Sequence, residues 1–432
     1  MMYATVFGLL VVLIVIGVPI AASVGGATLV AFFLYGSGFD MTVIPMRMVQ
    51  QVNTYSFLAI PFFILAGDLL LRGGLAEKLV NFIKRVFWFL PASLACITTV
   101  ASGFFGALSG SNAATVSAVG GAIVPNMKNE GYPDDVAAAV AAAGGTLGTI
   151  IPPSTPMITY GSIMSISIAQ LFVGGVIPGI ILALILCGVN IITCRKYSKS
   201  PKEVHAQFKS EGVSMWQAFK DAIWALLMPV IVLGGIYGSV FTPTEAGVVA
   251  ALYSLLVGVF VYRSIGLKDL MNSLVNTSIS TAVILFMMAC CGGPFTWFMT
   301  IYHIPETLSA AIIGLLNSKV LILLVLNVIM LIMGCFFDGA SIMLLLAPLM
   351  APIALQCGIS YLEFGVIMVI NLSVGTITPP MALCLYVSQQ VSGCKIELLC
   401  KRILPYLAAE SVFVVLLTYV PQLISWLPST MY

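Results

Sequence analysis

Oxygen-bearing side chains interrupt two otherwise apolar stretches of the sequence. Ser109, Ser111 and Asn112 form one interruption, and Asp338 stands between a phenylalanine and a glycine in the other. Hydroxyl, amide and carboxylate oxygens are hard ligands, which suit an alkali cation better than zinc or copper. The sequence therefore predicts a cation site made from these oxygens.

Asp338 is the most informative of these residues, because it is ionisable. A carboxylate inside a membrane segment costs about 2.5–3.5 kcal/mol on insertion scales, and such residues mark functional sites by default. The alternative is a carboxylate that caps a helix end at the membrane interface. Asp68 has a simpler explanation, because Arg72 follows four residues later. The two predict an ion pair on one helix face at the interface.

Two proline pairs, Pro152 with Pro153 and Pro379 with Pro380, also interrupt apolar segments. Proline has no amide hydrogen, so each pair leaves carbonyl groups without helical partners, which a small cation can satisfy. The N-termini of the half-helices at the same breaks would favour an anion. The pairs therefore predict a cation site and an anion site close together. A simple kink at each pair is the alternative.

The rest of the chain has the composition of a membrane protein. Of its 432 residues, 60% are hydrophobic and 8% are charged, whereas a soluble domain has about 25% charged residues. The net charge of +2 is too small to indicate a nucleic-acid-binding protein. Apolar runs of roughly 17–25 residues, enough to span a lipid bilayer, recur along the chain. The clearest are residues 55–71, 222–240, 247–262, 279–299 and 403–420.

The sequence contains few residue patterns that are typical of an enzyme or of a transition-metal site. Its ten cysteines contain no C-x-x-C pair, and the two histidines, His205 and His303, are far apart. Neither zinc binding nor a disulfide framework is therefore expected. No candidate nucleophile has a nearby histidine in the sequence, and no phosphate-binding glycine motif is evident. We therefore expect that the protein is not an enzyme.

The basic residues are concentrated in one polar stretch. The positive-inside rule makes this stretch the best candidate for a cytoplasmic loop. The first residues, Met1 to Thr5, carry no basic side chain, so the first apolar run is expected to be a retained helix rather than a signal peptide. The basic residues of the stretch are Arg195, Lys196, Lys199, Lys202, Lys209 and Lys220.

The chain repeats itself when it is shifted by 227 positions. Ser111 then falls on Asp338, and the sequence around the first proline pair falls on the sequence around the second. A run of matches in one register indicates an internal duplication. The two predicted halves are residues 1–210 and 211–432.

Each half has the same predicted series of elements. Two short helices precede an amphipathic arm, which is too polar to span and is expected to lie flat on the membrane. A spanning helix, a re-entrant hairpin, a broken helix and a final helix follow, so that five crossings invert the second half. One kinked helix at Pro19 in place of two would change this count. The predicted bounds are 40–53 and 263–276 for the arms, 90–125 and 320–356 for the hairpins, and 135–169 and 362–392 for the broken helices.

The interruptions carry motifs that resemble one family. Residues 106–112 (GALSGSN) look like its first hairpin tip, and residues 148–154 (GTIIPPS) look like its first broken helix. Residues 241–246 (FTPTEA) and 376–380 (TITPP) resemble further family patterns. Over nearly its full length, the chain resembles the large membrane (M) subunit of the tripartite ATP-independent periplasmic (TRAP) transporters.

This resemblance implies an all-α, inverted-repeat, elevator-type transporter that crosses the bacterial inner membrane several times. It would use a gradient of sodium ions to import a small carboxylate, such as an organic acid or a sialic-acid-like anion. A periplasmic substrate-binding protein (P subunit) would deliver the substrate. The small membrane (Q) subunit is expected to be a separate chain, because no extra helices precede the repeat in this sequence.

The resemblance also carries the family's site residues onto this sequence, several of them through backbone carbonyls. The sodium sites would comprise Ser109, Asn112, Gly148, Ile151 and Pro153 in the first half and Asp338, Gly339, Gly375, Thr378 and Pro380 in the second. Substrate contacts would come from Ser111, Ser154, Thr155 and Thr376.

Two other functions stay open. A single-component sodium–anion symporter of similar architecture would transport without a binding protein. A non-transporting membrane scaffold or receptor would need neither Asp338 nor the paired breaks.

Overall fold

The computed structural model describes residues 2–36, 40–199, 203, 214–316 and 318–431, and all the regular structure in them is helical. The predicted all-α class is confirmed. Lys202 and Lys209 of the basic stretch lie outside the described residues, as does His205.

The helices differ widely in length along the chain. In the described part of the first half they are α1 (Met2–Val15), α2 (Ile20–Tyr35), α3 (Val43–Val52), α4 (Ala59–Arg72), α5 (Leu75–Val86), α6 (Ser93–Ser109), α7 (Asn112–Thr115), α8 (Gly121–Asn129), α9 (Asp134–Gly145), α10 (Leu147–Ile150), α11 (Thr155–Ile163) and α12 (Ile168–Cys194). In the described part of the second half they are α13 (Met215–Tyr237), α14 (Pro243–Leu256), α15 (Leu267–Met287), α16 (Thr296–Ile301), α17 (Ile304–Leu316), α18 (Lys319–Phe336), α19 (Gly339–Gln356), α20 (Tyr361–Gly375), α21 (Leu383–Ser392), α22 (Ile396–Arg402), α23 (Leu404–Tyr419) and α24 (Gln422–Met431).

Two helices, rather than one kinked helix, surround Pro19. A turn that contains Gly17 at φ +92° separates α1 from α2. Thr5 Oγ1 and Tyr35 OH lie 2.9 Å apart, which brings the start of α1 beside the end of α2. Pro19 fits directly before α2, where its missing amide hydrogen is not needed.

The first hairpin was predicted at residues 90–125, and α6 and α8 form its two arms. Their open ends meet where Thr98 Oγ1 lies 3.9 Å from Met127 Sδ. Gly110 lies at the tip with φ +61°, and a Cβ atom there would lie 2.8 Å from Pro153 O. Only glycine combines this backbone conformation with so close an approach.

The second hairpin is formed by α18 and α19, close to the predicted residues 320–356. Its turn is short, because Phe337 is extended (φ −131°, ψ 153°) and Asp338 already caps α19. Each arm is long and apolar enough to cross a membrane by itself. The re-entrant course of the hairpins therefore stays a prediction.

Both helices that were predicted to be broken stop at the proline pairs. In the first half, residues 151–154 separate α10 from α11, and in the second, residues 376–382 separate α20 from α21. The Pro152–Pro153 and Pro379–Pro380 peptide bonds are cis. The regular helical structure is thus interrupted at both proline pairs.

The second arm differs from the prediction. Residues Leu267–Ile301 form one helical run of 35 residues, with no break after Asn276. The run contains no glycine or proline before residue 292 that would stop it. In the first half, by contrast, residues 53–54 are not helical, and a short 3-10 turn, Tyr55–Leu58, leads into α4. α3 is therefore a separate short helix, and the predicted arm 263–276 is not.

Helices from the two halves interlock beside the hairpins. α3 packs against Met288–Phe295, the wide helical turn that follows α15, and the Arg47 guanidinium lies 5.4 Å from the centre of the Trp297 ring. α14 packs against α4, where Thr244 donates from its hydroxyl to Tyr55 O at 3.4 Å. We call α3, α4, α14 and α15 the frame helices. We call α6–α12 and α18–α23 the core helices.

Candidate functional site

One cavity of about 490 Å³ lies where both hairpin tips and both broken helices meet. Its volume is in the range of small-molecule sites. The core helices line one side, and the frame helices α4 and α15 line the other with Asp68 and Ser280 among their residues. The cavity therefore lies between the two groups of helices rather than inside either one.

Four helices begin at this cavity. The first-turn residues Asn112, Thr155, Gly339 and Leu383 all line it, and they open α7, α11, α19 and α21. α7 is short but continues through a wide turn into α8. A helix N-terminus carries partial positive charge and free amide hydrogens, so four of them create an environment that favours an anion.

Side chains cap three of the four N-termini, and α21 has no side-chain cap. Ser154 Oγ accepts a hydrogen bond from Met157 N at 3.4 Å, and Asp338 Oδ2 accepts one from Ala340 N at 3.2 Å. Asp338 also lines the cavity. The capping role that the sequence left as an alternative is thus real, but the cap points a carboxylate at the candidate site.

Asn112 connects the two halves. Its Nδ2 donates to Ser373 Oγ at 2.7 Å and to Thr376 Oγ1 at 3.3 Å. Its Oδ1 accepts from Thr149 N and from Thr149 Oγ1, each at 2.9 Å. We call Asn112, Thr149, Ser373 and Thr376 the central polar cluster. In this arrangement both lone pairs of the Asn112 oxygen are used by Thr149.

The first hairpin tip is tied to the first broken helix. Thr155 donates from its hydroxyl to Gly110 O at 3.0 Å, and Thr115 donates to Ser111 O at 2.8 Å. A Cβ atom at Gly148 would lie 2.5 Å from Ser111 O. Gly148 therefore permits the close contact that holds the tip against the break.

The structure divides the residues that the sequence singled out. Those that line the cavity come from the hairpin tips, the first turns and, for Thr376, the start of the second break, and the others lie behind the cavity or in the breaks. The cavity contains Ser109, Ser111, Asn112, Thr155, Asp338, Gly339 and Thr376. Outside its lining are Gly148, Ile151, Pro153, Ser154, Gly375, Thr378 and Pro380.

The backbone of the second break is already engaged. Thr378 O accepts from the Cys335 thiol at 2.9 Å, and Thr378 donates from its hydroxyl to Val374 O at 3.1 Å. Pro380 is exposed, whereas Pro153 in the first break is buried. The two breaks are therefore similar in sequence but not in surroundings.

Sequence reasoning missed the role of Asp68. The predicted ion pair forms, with Arg72 Nε 2.8 Å from Asp68 Oδ2. Asp68 nevertheless lines the cavity together with residues of both hairpin tips, so it is part of the candidate site. An acidic residue inside an apolar run was the available signal.

Sequence reasoning also missed Glu410. It is fully buried in α23, where its Oε1 lies 3.1 Å from the Thr146 hydroxyl oxygen. Thr146 O in turn accepts from Ser373 Oγ at 2.6 Å. Glu410 therefore supports the central polar cluster from behind. It is the only acidic residue in the apolar run 403–420.

These features define a membrane transporter. Eight described helical segments are long and apolar enough to span a bilayer. The fold is similar to the YdaH transporter of Alcanivorax borkumensis, with 15% identity, 86% of each chain covered and a TM-score of 0.53. It is also similar to MtrF of Neisseria gonorrhoeae, with 17% identity, 88% of this chain and 84% of that chain covered, and a TM-score of 0.59. At these identities the likeness shows the fold alone.

Residues 7–423 match the family model of the tripartite ATP-independent periplasmic transporter, DctM component. The chain belongs to this family, which confirms the resemblance seen in the motifs. It is 33% identical to the C4-dicarboxylate TRAP transporter large permease protein DctM of Rhodobacter capsulatus, with 98% of each chain covered.

Two further relatives are longer than this chain. The isethionate TRAP transporter permease protein DctMQ of Oleidesulfovibrio alaskensis is 37% identical over 96% of this chain, which spans 65% of that protein. The sialic acid TRAP transporter permease protein SiaT of Haemophilus influenzae is 33% identical over 97% of this chain and 67% of that protein. All three relatives are named as permeases, which confirms the expectation of a transporter rather than an enzyme.

Proposed function

We propose that this protein performs sodium-coupled uptake of a small carboxylate across the bacterial inner membrane. The substrate would be an organic acid or a sialic-acid-like anion that a periplasmic binding protein delivers. The observation that carries the proposal is the meeting of four helix N-termini and the Asp338 carboxylate at one cavity.

The helix N-termini supply the attraction for a carboxylate, because their amide hydrogens and dipoles favour negative charge. Asp338 opposes it. Two like unit charges about 4 Å apart near a protein surface repel by about 4 kcal/mol. A cation at Asp338 removes this repulsion, so sodium and substrate would bind together more favourably than either alone. This mutual dependence is the basis we propose for coupling.

The sodium ligands that we propose fall into one set in each half, and hard oxygen donors are present in both. Ser109, Asn112, Gly148, Ile151 and Pro153 would form the first set, and Asp338, Gly339, Gly375, Thr378 and Pro380 the second. A cation bound by the Asn112 side-chain oxygen would replace one of its hydrogen bonds from Thr149. The substrate would contact Ser111, Thr155 and Thr376 directly. Ser154 would act through the α11 N-terminus that it caps.

We also propose an elevator movement, in which the core helices carry the site past the frame helices. The position of the cavity supports this, because one wall belongs to each group. Asp68 and Ser280 would then contact the site when the core helices are at one side of the membrane. These contacts would be broken when the core helices move to the other side.

The proposed partners are a small membrane subunit as a separate chain and a periplasmic binding protein. The family's description as one component of a tripartite transporter supports both partners. The names of the relatives support an anionic substrate, since they specify a C4-dicarboxylate, isethionate and sialic acid.

Uptake of labelled carboxylates into proteoliposomes tests the proposal. The chain is reconstituted with its small subunit, with and without the binding protein, under an inward gradient of sodium or of choline. We expect uptake only when sodium and the binding protein are both present. A well-characterised transporter in the same vesicles controls for their integrity.

Each other outcome points to a different function. Uptake without the binding protein would identify a single-component sodium–anion symporter. Equal uptake under sodium and choline gradients would contradict sodium coupling. Absence of uptake by this chain, while the control transporter works and Asp338→Ala changes no measured property, would favour a membrane scaffold.

A further inference from the structure

A second, open pocket of about 540 Å³ lies at the C-terminal end of α12. None of its lining residues lines the substrate cavity. The second pocket is lined by Ile192, Thr193, Arg195, Lys196 and Arg402. Three of these five side chains are cationic, and one is a large apolar side chain that is 84% exposed. The pocket therefore combines cationic side chains with an exposed apolar side chain.

The positive charge of this pocket is only partly neutralised. Arg402 Nε lies 2.7 Å from Asp135 Oδ2. Arg195 and Lys196 have no carboxylate partner among the residues that the structure describes, and the Lys196 ammonium lies 4.7 Å from the centre of the Tyr197 ring. Within the part of the chain that the structure describes, these two exposed cations are thus free to bind an anionic group of another molecule.

Exposed apolar residues extend from the pocket along two helices. α12 and α23 pack together near this end, where Tyr406 donates from its hydroxyl to Asn190 Oδ1 at 2.8 Å. Leu184 on α12 and Val412 on α23 are each 67% exposed. These side chains are of the kind that face acyl chains in a bilayer.

Other basic residues identify which end of the molecule this is. Lys128 Nζ lies 3.1 Å from Asp134 Oδ1, beside the Asp135 that pairs with the pocket. Burial raises the pKa of Glu130, while the nearby Lys199 and Lys84 oppose that shift. These contacts gather several cations at one end, which the positive-inside rule makes the cytoplasmic end.

We propose that this pocket binds the phosphate of an anionic phospholipid in the cytoplasmic leaflet, with the acyl chains lying against α12 and α23. Arginine presents a planar set of donors that matches phosphate, and lysine adds a compact charge. Basic pockets between membrane helices at the cytoplasmic surface suit such headgroups. The lipid would bind to the core helices, away from the substrate cavity.

Binding of a fluorescent phosphatidylglycerol to the full-length protein in detergent tests this site. The double variant R195A/K196A should bind it about 25-fold more weakly, since each basic residue near an anionic lipid contributes about fivefold. The control double variant K268A/K319A removes the same charge from exposed positions elsewhere and should bind like the parent. A matched fluorescent phosphatidylcholine should bind weakly to all three.

Further measurements separate a lipid from a free anion and from misfolding. The variant Ile192→Asn should weaken phosphatidylglycerol binding while leaving the basic residues in place. Inorganic phosphate should not displace the lipid, and efficient displacement would instead show a site for a free anion. If R195A/K196A does not fold, the single variant Lys196→Gln should show the fivefold loss. Unchanged binding in the folded pocket variants, or an equal loss in K268A/K319A, would overturn the proposal.

Discussion

At the residue scale, Asp338 combines two roles that are usually separate. Its carboxylate caps α19 through Ala340 N, and the same side chain lines the cavity. A cap alone could be made by an uncharged residue, because asparagine and serine cap helices as well as aspartate does. Ser111 holds the equivalent position in the first half and is uncharged. The charge at Asp338 is thus the part that capping does not require.

Asp338→Asn should weaken the activation of transport by sodium while it preserves the helix cap. The loss of a charged contact worth about 1.5–3 kcal/mol corresponds to roughly 10- to 150-fold weaker sodium activation. Sodium-dependent uptake and the sodium-induced rise in melting temperature measure this effect. Asp338→Ala is the comparison, because it also loses the cap, worth about 1 kcal/mol. Unaltered sodium activation in Asp338→Asn would exclude Asp338 as a ligand.

Glu410→Gln should be tolerated, whereas Glu410→Ala should destabilise the protein by about 2 kcal/mol or more because it leaves a cavity. Thr146 has a single hydroxyl hydrogen, and Ala143 O accepts from it at 2.8 Å. The residue at position 410 must therefore donate a hydrogen bond to the Thr146 hydroxyl oxygen. A glutamine amide can make this donation. Melting temperatures of the two purified variants provide the measurement. Equal losses would show that the carboxyl group itself is required.

At the element scale, the interruptions were predictable and the lengths between them were not. Gly110 and the proline pairs act through their own backbone chemistry, so a sequence reveals them. The continuous helix Leu267–Ile301 depends on what is absent, namely a strong stop signal at the expected place. Contacts such as Asn112 with Ser373 join residues 261 positions apart. Local patterns contain no information about such pairs.

Gly110→Ala should disturb the first hairpin tip. Its left-handed conformation costs a residue with a Cβ about 1–2 kcal/mol, and that Cβ would also lie 2.8 Å from Pro153 O. We expect a lower melting temperature and reduced uptake. Gly121→Ala is the matched control, since no atom lies within 4 Å of the Cβ it would add and its φ of −54° is helical. Similar behaviour of the two variants would refute the argument about the tip.

At the scale of the whole molecule, many contacts join the two halves, both at the cavity and in the frame. The central polar cluster joins the core helices at the cavity, and the frame helices interlock through α3 with Met288–Phe295 and through α4 with α14. The inverted repeat itself stays a prediction. The structure shows that residues of both halves form the central polar cluster and the packing of the frame helices.

A double-mutant cycle between Asn112→Ala and Ser373→Ala should reveal coupling across the halves. Residues joined by a short buried hydrogen bond typically show about 0.5–3 kcal/mol of non-additivity in their effects on stability. Melting temperatures of the parent, both single variants and the double variant give the coupling. Asn112→Ala with Asn190→Ala is the control pair, because Asn190 bonds to Ala95 O and Thr99 instead. Additive effects in the first pair would count against the proposed connection.

The interlocked frame has a consequence for how the protein is made. A ribosome completes α3 long before it reaches Met288–Phe295, the segment on which α3 packs. The same holds for α4, whose partner α14 is synthesised later. The first half therefore enters the membrane before α3 and α4 have their packing partners. These surfaces stay without those partners until the second half is inserted. Final assembly of the frame belongs to the end of synthesis, after the membrane segments of both halves have been inserted.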